Sequence, residues 1–225
     1  MAVELIVVDD AQAASERAGE FLADAAREGG HIALSGGKSP EHAHETAAKL
    51  QPDWSRVELW WGDERCVPPN DERSNYLLAK GTLLDALAAK PQVHRILGEL
   101  PPEAAADAYD AELEGIAIDL AFNGIGPDGH TASLFPGSPQ LAVTDRRAVA
   151  GPAGLEPFVD RVTMTVPFLN TARTVVFLVA GEDKADAVSR AFAADPDPGT
   201  PSSLVRGAEQ TIAILDRAAA SSLDI

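Results

Sequence analysis

The feature that most constrains the fold of this chain is a regular alternation of short apolar runs with longer, alanine-rich amphipathic runs. The apolar runs have the length of strands, and the amphipathic runs have the spacing and length of helices. Strands are predicted at residues 4–8, 31–34, 57–61, 119–123, 174–179 and 211–215. Helices are predicted at residues 11–28, 41–50, 75–88, 102–114 and 184–194. This order predicts an α/β fold of βαβ units, with a mostly parallel sheet covered by helices on both faces.

The length of the chain predicts a single domain. Its 225 residues suffice for one well-packed α/β domain and are too few for two. No internal repeat or linker interrupts the chain, and the Pro/Gly-rich segments at 151–157 and 195–201 are predicted to be surface loops. Open parallel sheets bind ligands at the carboxyl ends of their strands, so the residues that follow each predicted strand are the candidates for function.

Charge and cysteine content restrict the partners and the location of the protein. Acidic residues outnumber basic ones 35 to 18, and the net charge of −17 argues against nucleic acid or an anionic membrane as a partner. Any phosphate site must then be a local cluster of basic side chains and backbone N–H groups. The single cysteine, Cys66, excludes an internal disulfide, and we expect it to be a small packed residue. Neither a signal peptide nor a membrane-spanning run is recognisable, so a cytoplasmic location is expected.

A glycine-containing turn follows the second predicted strand and precedes a predicted helix. Its residues are Ser35, Gly36, Gly37, Lys38, Ser39 and Pro40. Glycines permit tight turning, Ser39 is predicted to cap the helix, and Pro40 suits the first helical turn. A helix N-terminus in this setting presents free N–H groups to an anion, although a plain β–α turn explains the pattern equally well. A triphosphate-binding loop is excluded, because Ile32 stands where that motif requires glycine.

Charged residues directly follow the third predicted strand. Asp63 and Arg65 come just after the apolar run that ends at Trp61. The guanidinium of Arg65 suits a phosphate or carboxylate, and Asp63 can accept hydrogen bonds from sugar hydroxyls. The competing interpretation is an Asp63–Arg65 ion pair that ties down the loop, and the charge cluster alone favours it.

The strongest local signal is a glycine-rich loop that contains one histidine. Residues 124–137 read GIGPDGHTASLFPG, with His130 in the loop and Asp128 two positions before it. Histidine moves protons near neutral pH, and a neighbouring carboxylate can fix its tautomer, so we predict that His130 is functional. His42 and His44 face different directions on one predicted helix. Since no Cys/His cluster occurs either, no metal is predicted.

Two further basic residues lie downstream. Arg161 begins the run RVTMTV, and Lys184 stands at the start of the last predicted helix. A lysine at a helix N-terminus is unfavourable with respect to the helix dipole, so a nearby anionic ligand would account for it. A solvated lysine is the simpler alternative.

Taken in order, these blocks resemble the 6-phosphogluconolactonases over essentially the whole chain. The matching segments read LSGGKSP, WGDERCVPPND, RSNY, GIGPDGHTASLFPG, RVTMT, VFLVAG and LDRAAA. The resemblance implies a glucosamine-phosphate-isomerase-like fold, a modified Rossmann-like α/β/α domain of three layers. It also implies hydrolysis of a sugar-phosphate lactone, 6-phospho-D-glucono-1,5-lactone, in the oxidative pentose phosphate pathway without a cofactor.

The resemblance also implies residue roles. Catalytic roles fall on His130, Asp128, Asp63 and Arg65. Binding of the 6-phosphate falls on Ser35, Gly36, Gly37, Lys38, Ser39, Arg161 and Lys184. His130 would be the general base, with either Asp128 or Asp63 supporting it. Two positions depart from the family pattern, since Lys38 replaces a small or hydroxyl residue and Asn123 replaces an aliphatic one.

Two other functions remain open at this point. The related glucosamine-6-phosphate deaminases share the fold but generally continue the histidine loop as IAFNEP, whereas this chain reads TASLFP at 131–136. A sugar-phosphate sensor without catalysis would usually carry a DNA-binding segment, for which this acidic chain has no room. A monomer or small homo-oligomer is expected.

Overall fold

The computed structural model describes residues 2–193 and 195–223, apart from the side chain of Lys38. The strands of this part, in chain order, are β1 (Glu4–Val8), β2 (Gly30–Leu34), β3 (Val57–Trp61), β4 (Asp63–Arg65), β5 (Gln92–Val93), β6 (Leu120–Asn123), β7 (Ala148–Gly151), β8 (Arg161–Met164), β9 (Thr174–Val179) and β10 (Gln210–Asp216). The main sheet has the order β1-β10-β9-β6-β2-β3-β5, and all its neighbouring strands are parallel. All six predicted strands are present within one residue of their predicted bounds. The predicted parallel sheet is therefore confirmed.

A second sheet, which the sequence did not predict, is antiparallel and has the order β4-β8-β7. Its strands have only three or four residues, β4 consists only of charged residues, and the polar/apolar alternation of β8 spans just four positions, so the local strand signal is weak. The small sheet continues from the end of β3, because the backbone N–H of Met164 donates to the carbonyl of Gly62 at 2.7 Å. It therefore lies at the carboxyl end of the parallel sheet.

The helices that flank the parallel sheet are α1 (Ala11–Glu28), α2 (Lys38–Leu50), α3 (Asn75–Thr82), α4 (Pro102–Glu112), α5 (Val166–Leu169) and α6 (Ala185–Phe192). Helix α1 begins after Asp10, whose side chain accepts the N–H of Ala13 at 2.9 Å and so caps the helix. Alanine and leucine side chains of α1, together with alanines of α2, are fully buried in the core. Among the described residues, no helix is long and apolar enough to cross a membrane.

Several predicted helix bounds are wrong. Helix α2 starts at Lys38 rather than at residue 41, and its N-cap is Gly37, at φ +111°, so the prediction that Ser39 caps it is wrong. Helix α3 ends at Thr82 rather than at residue 88, after the weak helix formers Gly81 and Thr82, and a 3₁₀ turn follows at residues 84–86. Helix α4 ends two residues early, at Glu112. Helix α6 begins one residue later than predicted, and its predicted end at residue 194 lies outside the described residues.

The strand order places a crevice between β2 and β6. These strands are neighbours, paired through Ile32 with Leu120 and Ala33 with Ala121. The chain leaves β2 toward β3 on one side, whereas it leaves β6 toward β9 on the other. The loops that follow β2 and β6 therefore diverge, and open α/β sheets bind ligands in the gap that such a reversal leaves.

Candidate active site

A cavity of about 350 Å³ opens at this crevice. It is lined by residues from the loops after β2, β3, β6 and β9, and by the small antiparallel sheet. Nine residues with predicted roles lie in its wall: Ser35, Gly36, Gly37, Ser39, Asp63, Arg65, His130, Arg161 and Lys184. Asp128 contacts His130 from outside the wall, and the role predicted for the side chain of Lys38 lies outside what the structure describes. Segments far apart in the chain thus meet at one cavity.

His130 is oriented by Asp128. Its Nδ1 lies 2.6 Å from Oδ1 of Asp128, and the same oxygen accepts the backbone N–H of His130 at 3.1 Å. Burial tends to raise the pKa of Asp128, but the hydrogen bonds from His130 outweigh it and hold that pKa below its usual value. An ionised carboxylate can only accept, so Nδ1–H is the donor to Asp128. In the neutral form of the ring, Nε2 is then an acceptor, and it has no hydrogen-bond partner among the described residues. The side chain of His130 is 22% exposed, which leaves it accessible to a ligand.

The histidine loop holds this pair through glycines and one strained residue. A Cβ on Gly126 would lie only 2.0 Å from Nδ1 of His130, so only glycine leaves space for the ring. Gly129 has φ +90°, and Ala132 has φ +49°, which is unusual for a residue with a side chain. The ring of Phe135 packs against the imidazole, with 4.8 Å between centroids. Unusual backbone of this kind is common at functional sites.

Asp63 and Arg65 bind different partners. Oδ2 of Asp63 accepts the hydroxyl of Ser133 at 2.6 Å. Arg65 donates through Nη1 to the carbonyl of Arg73, while its Nε is buried and has no hydrogen-bond partner in the described part of the chain. No Asp63–Arg65 ion pair occurs among the described residues, so the loop-tying pair favoured by the charge pattern is not found. Arg65 therefore keeps hydrogen-bonding capacity for a ligand.

Arg161 lies directly opposite Arg65 in the small sheet, so both side chains stand on the same face. It is only 4% exposed and donates to the carbonyls of Val159 at 3.1 Å and Pro157 at 3.0 Å. Burial lowers the pKa of Arg161; the charge of Asp63 opposes this shift and the charge of Arg65 adds to it, although a guanidinium stays protonated. Like charges in opposed positions destabilise a sheet unless an anion offsets them. The pair therefore favours an anionic ligand.

Two helix starts complete this side of the cavity. Gly37 caps α2 without any side-chain acceptor, which leaves the first N–H groups of the helix available to an anion. Ser35, at the other end of the turn, has a buried hydroxyl without a hydrogen-bond partner among the side chains and backbone that the structure describes. Lys184 stands at the N-cap of α6, as predicted, and Nζ pairs with Asp183 at 2.7 Å.

Sequence reasoning missed several residues of the site. Asn75 lies in the cavity wall, and Leu155 and Glu156 reach it from the loop between β7 and β8. The Asn75 backbone N–H donates to the buried carboxylate of Glu64 at 2.7 Å, and burial raises the pKa of Glu64 although its hydrogen bonds oppose this. The RSNY block could have indicated Asn75, whereas Leu155 and Glu156 carry no local signal. Among the described side chains, no three metal-binding groups converge.

Comparison with known proteins identifies the family. The family model "Glucosamine-6-phosphate isomerases/6-phosphogluconolactonase" matches residues 8–213. The chain belongs to this family. Two similar members, both named 6-phosphogluconolactonase, come from Streptomyces coelicolor and Mycobacterium leprae. The first is 35% identical over 98% of this chain and 94% of that protein. The second is 35% identical over 99% of each.

Solved structures of family members share the fold. A 6-phosphogluconolactonase from Leishmania guyanensis superposes with a TM-score of 0.87 at 25% identity, over all of both chains. The enzyme of that name from Thermotoga maritima gives a TM-score of 0.82 at 27% identity, over 95% of this chain and 99% of that one. A monomeric glucosamine-6-phosphate deaminase, at 18% identity and a TM-score of 0.87, shows the fold alone. The glucosamine-phosphate-isomerase-like fold implied by the sequence is thus confirmed.

Proposed function

We propose that this protein hydrolyses 6-phospho-D-glucono-1,5-lactone to 6-phosphogluconate, the reaction for which its family relatives are named. The observation that carries the proposal is a meeting of groups in one cavity. His130, held by Asp128, lines the same space of about 350 Å³ as the opposed guanidinium groups of Arg65 and Arg161. A base and an anion-binding cluster are what hydrolysis of a phosphorylated lactone requires.

The phosphate would bind at the basic side of the cavity. Arg161 and Lys184 line it together with the N-terminus of α2. Arg65 is the third basic group of the cavity wall, whose acidic groups are Asp63 and Glu156. A local excess of basic groups can therefore hold a dianion despite the net charge of −17. Binding this end of the substrate would orient C1 of the lactone toward His130.

Hydrolysis would proceed by direct attack of water. Nε2 of His130 takes a proton from the water as its oxygen bonds to C1, and the Asp128 carboxylate stabilises the imidazolium that forms. Arg65, whose Nε has no partner within residues 2–193 and 195–223, would stabilise the oxyanion. The C1–ring oxygen bond then breaks, and His130 returns its proton to the departing oxygen. No cofactor and no covalent intermediate are required.

Formation of 6-phosphogluconate above the spontaneous rate tests the proposal. We expect His130→Ala to lower kcat by roughly 10²–10⁴-fold while the affinity for phosphate ligands stays near that of the wild type. His42→Ala is a suitable control, because His42 is exposed on α2 and does not line the cavity. Undiminished turnover in a folded His130→Ala variant would remove His130 as the base.

Assays on the same purified protein distinguish the two alternative functions. Release of ammonia from glucosamine 6-phosphate, without lactone hydrolysis, would indicate the deaminase reaction instead. Saturable binding of sugar phosphates without turnover would indicate a sensor.

We also propose that the chain forms one domain and acts in the cytoplasm, as a monomer or small homo-oligomer that does not bind nucleic acid. The net charge of −17 and the single cysteine support this proposal. Light scattering coupled to gel filtration would give the oligomeric state.

A further inference from the structure

Both carboxylate oxygens of Asp63 are held by side chains from other segments. Oδ2 accepts the hydroxyl of Ser133, in the histidine loop, at 2.6 Å. Oδ1 lies 3.3 Å from Nδ2 of Asn75, at the start of α3, and the same Nδ2 donates to the Asp63 carbonyl at 2.8 Å. Asp63 is 5% exposed, Asn75 2% and Ser133 0%, so water competes little with these bonds.

The two donors are themselves fixed. The backbone N–H of Ser133 donates to Oγ1 of Thr163 at 3.2 Å, and Thr163 is paired with Asp63 across the small sheet. The backbone N–H of Asn75 donates to Glu64 at 2.7 Å. The carboxylate of Asp63 is therefore held from two sides by groups that have little freedom to move.

An unused acceptor lies beside this cluster. Oδ1 of Asn75 is buried without a partner among the described residues, although Asn75 lines the cavity. A Cβ on Gly36 would lie 1.8 Å from that oxygen, so the amide packs directly against the glycine turn. Buried polar atoms without partners are rare in folded proteins, and a ligand or an ordered water is one explanation for them.

The charge of Asp63 indicates which part of a ligand it faces. A carboxylate would repel a phosphate, but a sugar hydroxyl can donate to it. Each carboxylate oxygen has a second lone pair, so the bonds from Ser133 and Asn75 leave acceptor capacity toward the cavity. We propose that Ser133 and Asn75 are positioning residues that hold the Asp63 carboxylate as a fixed acceptor for one ring hydroxyl of the substrate.

This inference rests on the proposed function and extends it to substrate selectivity. A site built to bind a hydroxyl discriminates strongly against an analogue that lacks it, because its own polar groups are then left unpaired. We therefore expect the wild type to prefer the parent lactone by roughly 10- to 100-fold in kcat/KM over the one analogue that lacks the bound hydroxyl. Monodeoxy analogues of the 6-phosphogluconolactone ring, each lacking one hydroxyl, are the probes.

Ser133→Ala is the decisive variant. With Asp63 held from one side only, kcat/KM for the parent lactone should fall about tenfold, while the value for the discriminated analogue should hardly change. The wild-type preference should shrink by the same factor. Ser202→Ala is the matched control, because Ser202 is also fully buried but lies outside the cavity wall, and its hydroxyl has no hydrogen-bond partner among the described residues. It should keep the full preference.

The outcomes are separable. The proposal would be overturned if kcat/KM of Ser133→Ala fell equally on all substrates, or if the wild type discriminated against no analogue. If Ser133→Ala does not fold, Asn75→Ala removes the donor to the other oxygen and should produce the same selective loss. If the wild type fails to hydrolyse the lactone, the proposed function fails. Calorimetric binding of 6-phosphogluconate and its deoxy analogues then tests the inference alone, through the same loss of preference.

Discussion

The fit of Gly126 against the ring of His130 leads to a quantitative prediction. In Gly126→Ala, the new Cβ would lie 2.0 Å from Nδ1 and 2.8 Å from Oδ1 of Asp128. An ordinary contact needs about 3.4 Å, so the ring must retreat by about 1.4 Å, the difference between 3.4 and 2.0 Å. The loop has little freedom to relieve the clash, because the N–H of Gly126 donates to the His130 carbonyl at 2.9 Å. Gly126 lies outside the positive-φ glycines of the described chain, so alanine adds no backbone strain of that kind.

A shift of this size should act on the chemical step. Misplacement of a catalytic group by about 1 Å can cost about 10²-fold in rate, so we expect kcat for lactone hydrolysis to fall by at least that factor. The phosphate end of the site is untouched, so KM should change little. The assay follows 6-phosphogluconate formation at saturating lactone, with thermal unfolding measured in parallel.

The control for this experiment is Gly62→Ala. Its Cβ would meet its nearest atoms, the Leu34 carbonyl oxygen and Oδ1 of Asn123, at 3.6 and 3.7 Å, which are ordinary contacts. Its kcat should therefore stay near that of the wild type. A folded Gly126→Ala protein with wild-type kcat would refute the reasoning, because it would mean that the position of the His130 ring does not limit the reaction.

Two histidines outside the site should make the stability of the protein depend on pH in opposite directions. Burial lowers the pKa of His44 from 6.5 to about 4, so the unfolded chain gains a proton first, and stability should fall by up to about 3 kcal/mol between pH 6.5 and 4. In urea unfolding, the free energy of unfolding of His44→Gln should fall less steeply than that of the wild type as the pH is lowered over this range. Burial would lower the pKa of His94, but its hydrogen bonds to the carboxylates of Glu112 and Glu58 raise it overall. Its contribution is therefore complete below pH 6.5 and lost as pH rises through the raised value, and His94→Gln should remove that loss. If stability depends on pH in the same way in these variants as in the wild type, the pKa shifts given for His44 and His94 are wrong.

The sequence by itself determined the parallel sheet and the loops that carry most of the site. Buried parallel strands are continuous apolar runs, and this local signal located six strands within one residue of their observed bounds. The order of parallel strands and helices then predicts that function lies at the carboxyl ends of the strands. His130 and Asp128 are two residues apart, so their contact could be anticipated from the chain.

Helix bounds were less predictable, because caps and turns depend on backbone geometry. The pattern SGGKSP suggested Ser39 as the cap of α2. The positive φ of Gly37 instead allows the helix to begin at Lys38. Residues 82–88 continue the apolar spacing of α3, but the helix ends at Thr82 and a 3₁₀ turn follows. Local propensity differs too little between these alternatives to decide among them.

Only the tertiary structure decided how the distant parts of the site meet. Arg65 faces Arg161 because β4 and β8 pair in one register, although β4 contains no apolar residue and the alternation in β8 spans only four positions. Ser133 reaches Asp63 across 70 positions in the sequence, and Glu156 reaches the cavity from a loop that the sequence indicated only as surface. Such contacts depend on strand register and on burial of polar groups. Both arise only when the whole sheet has assembled, so no local pattern specifies them.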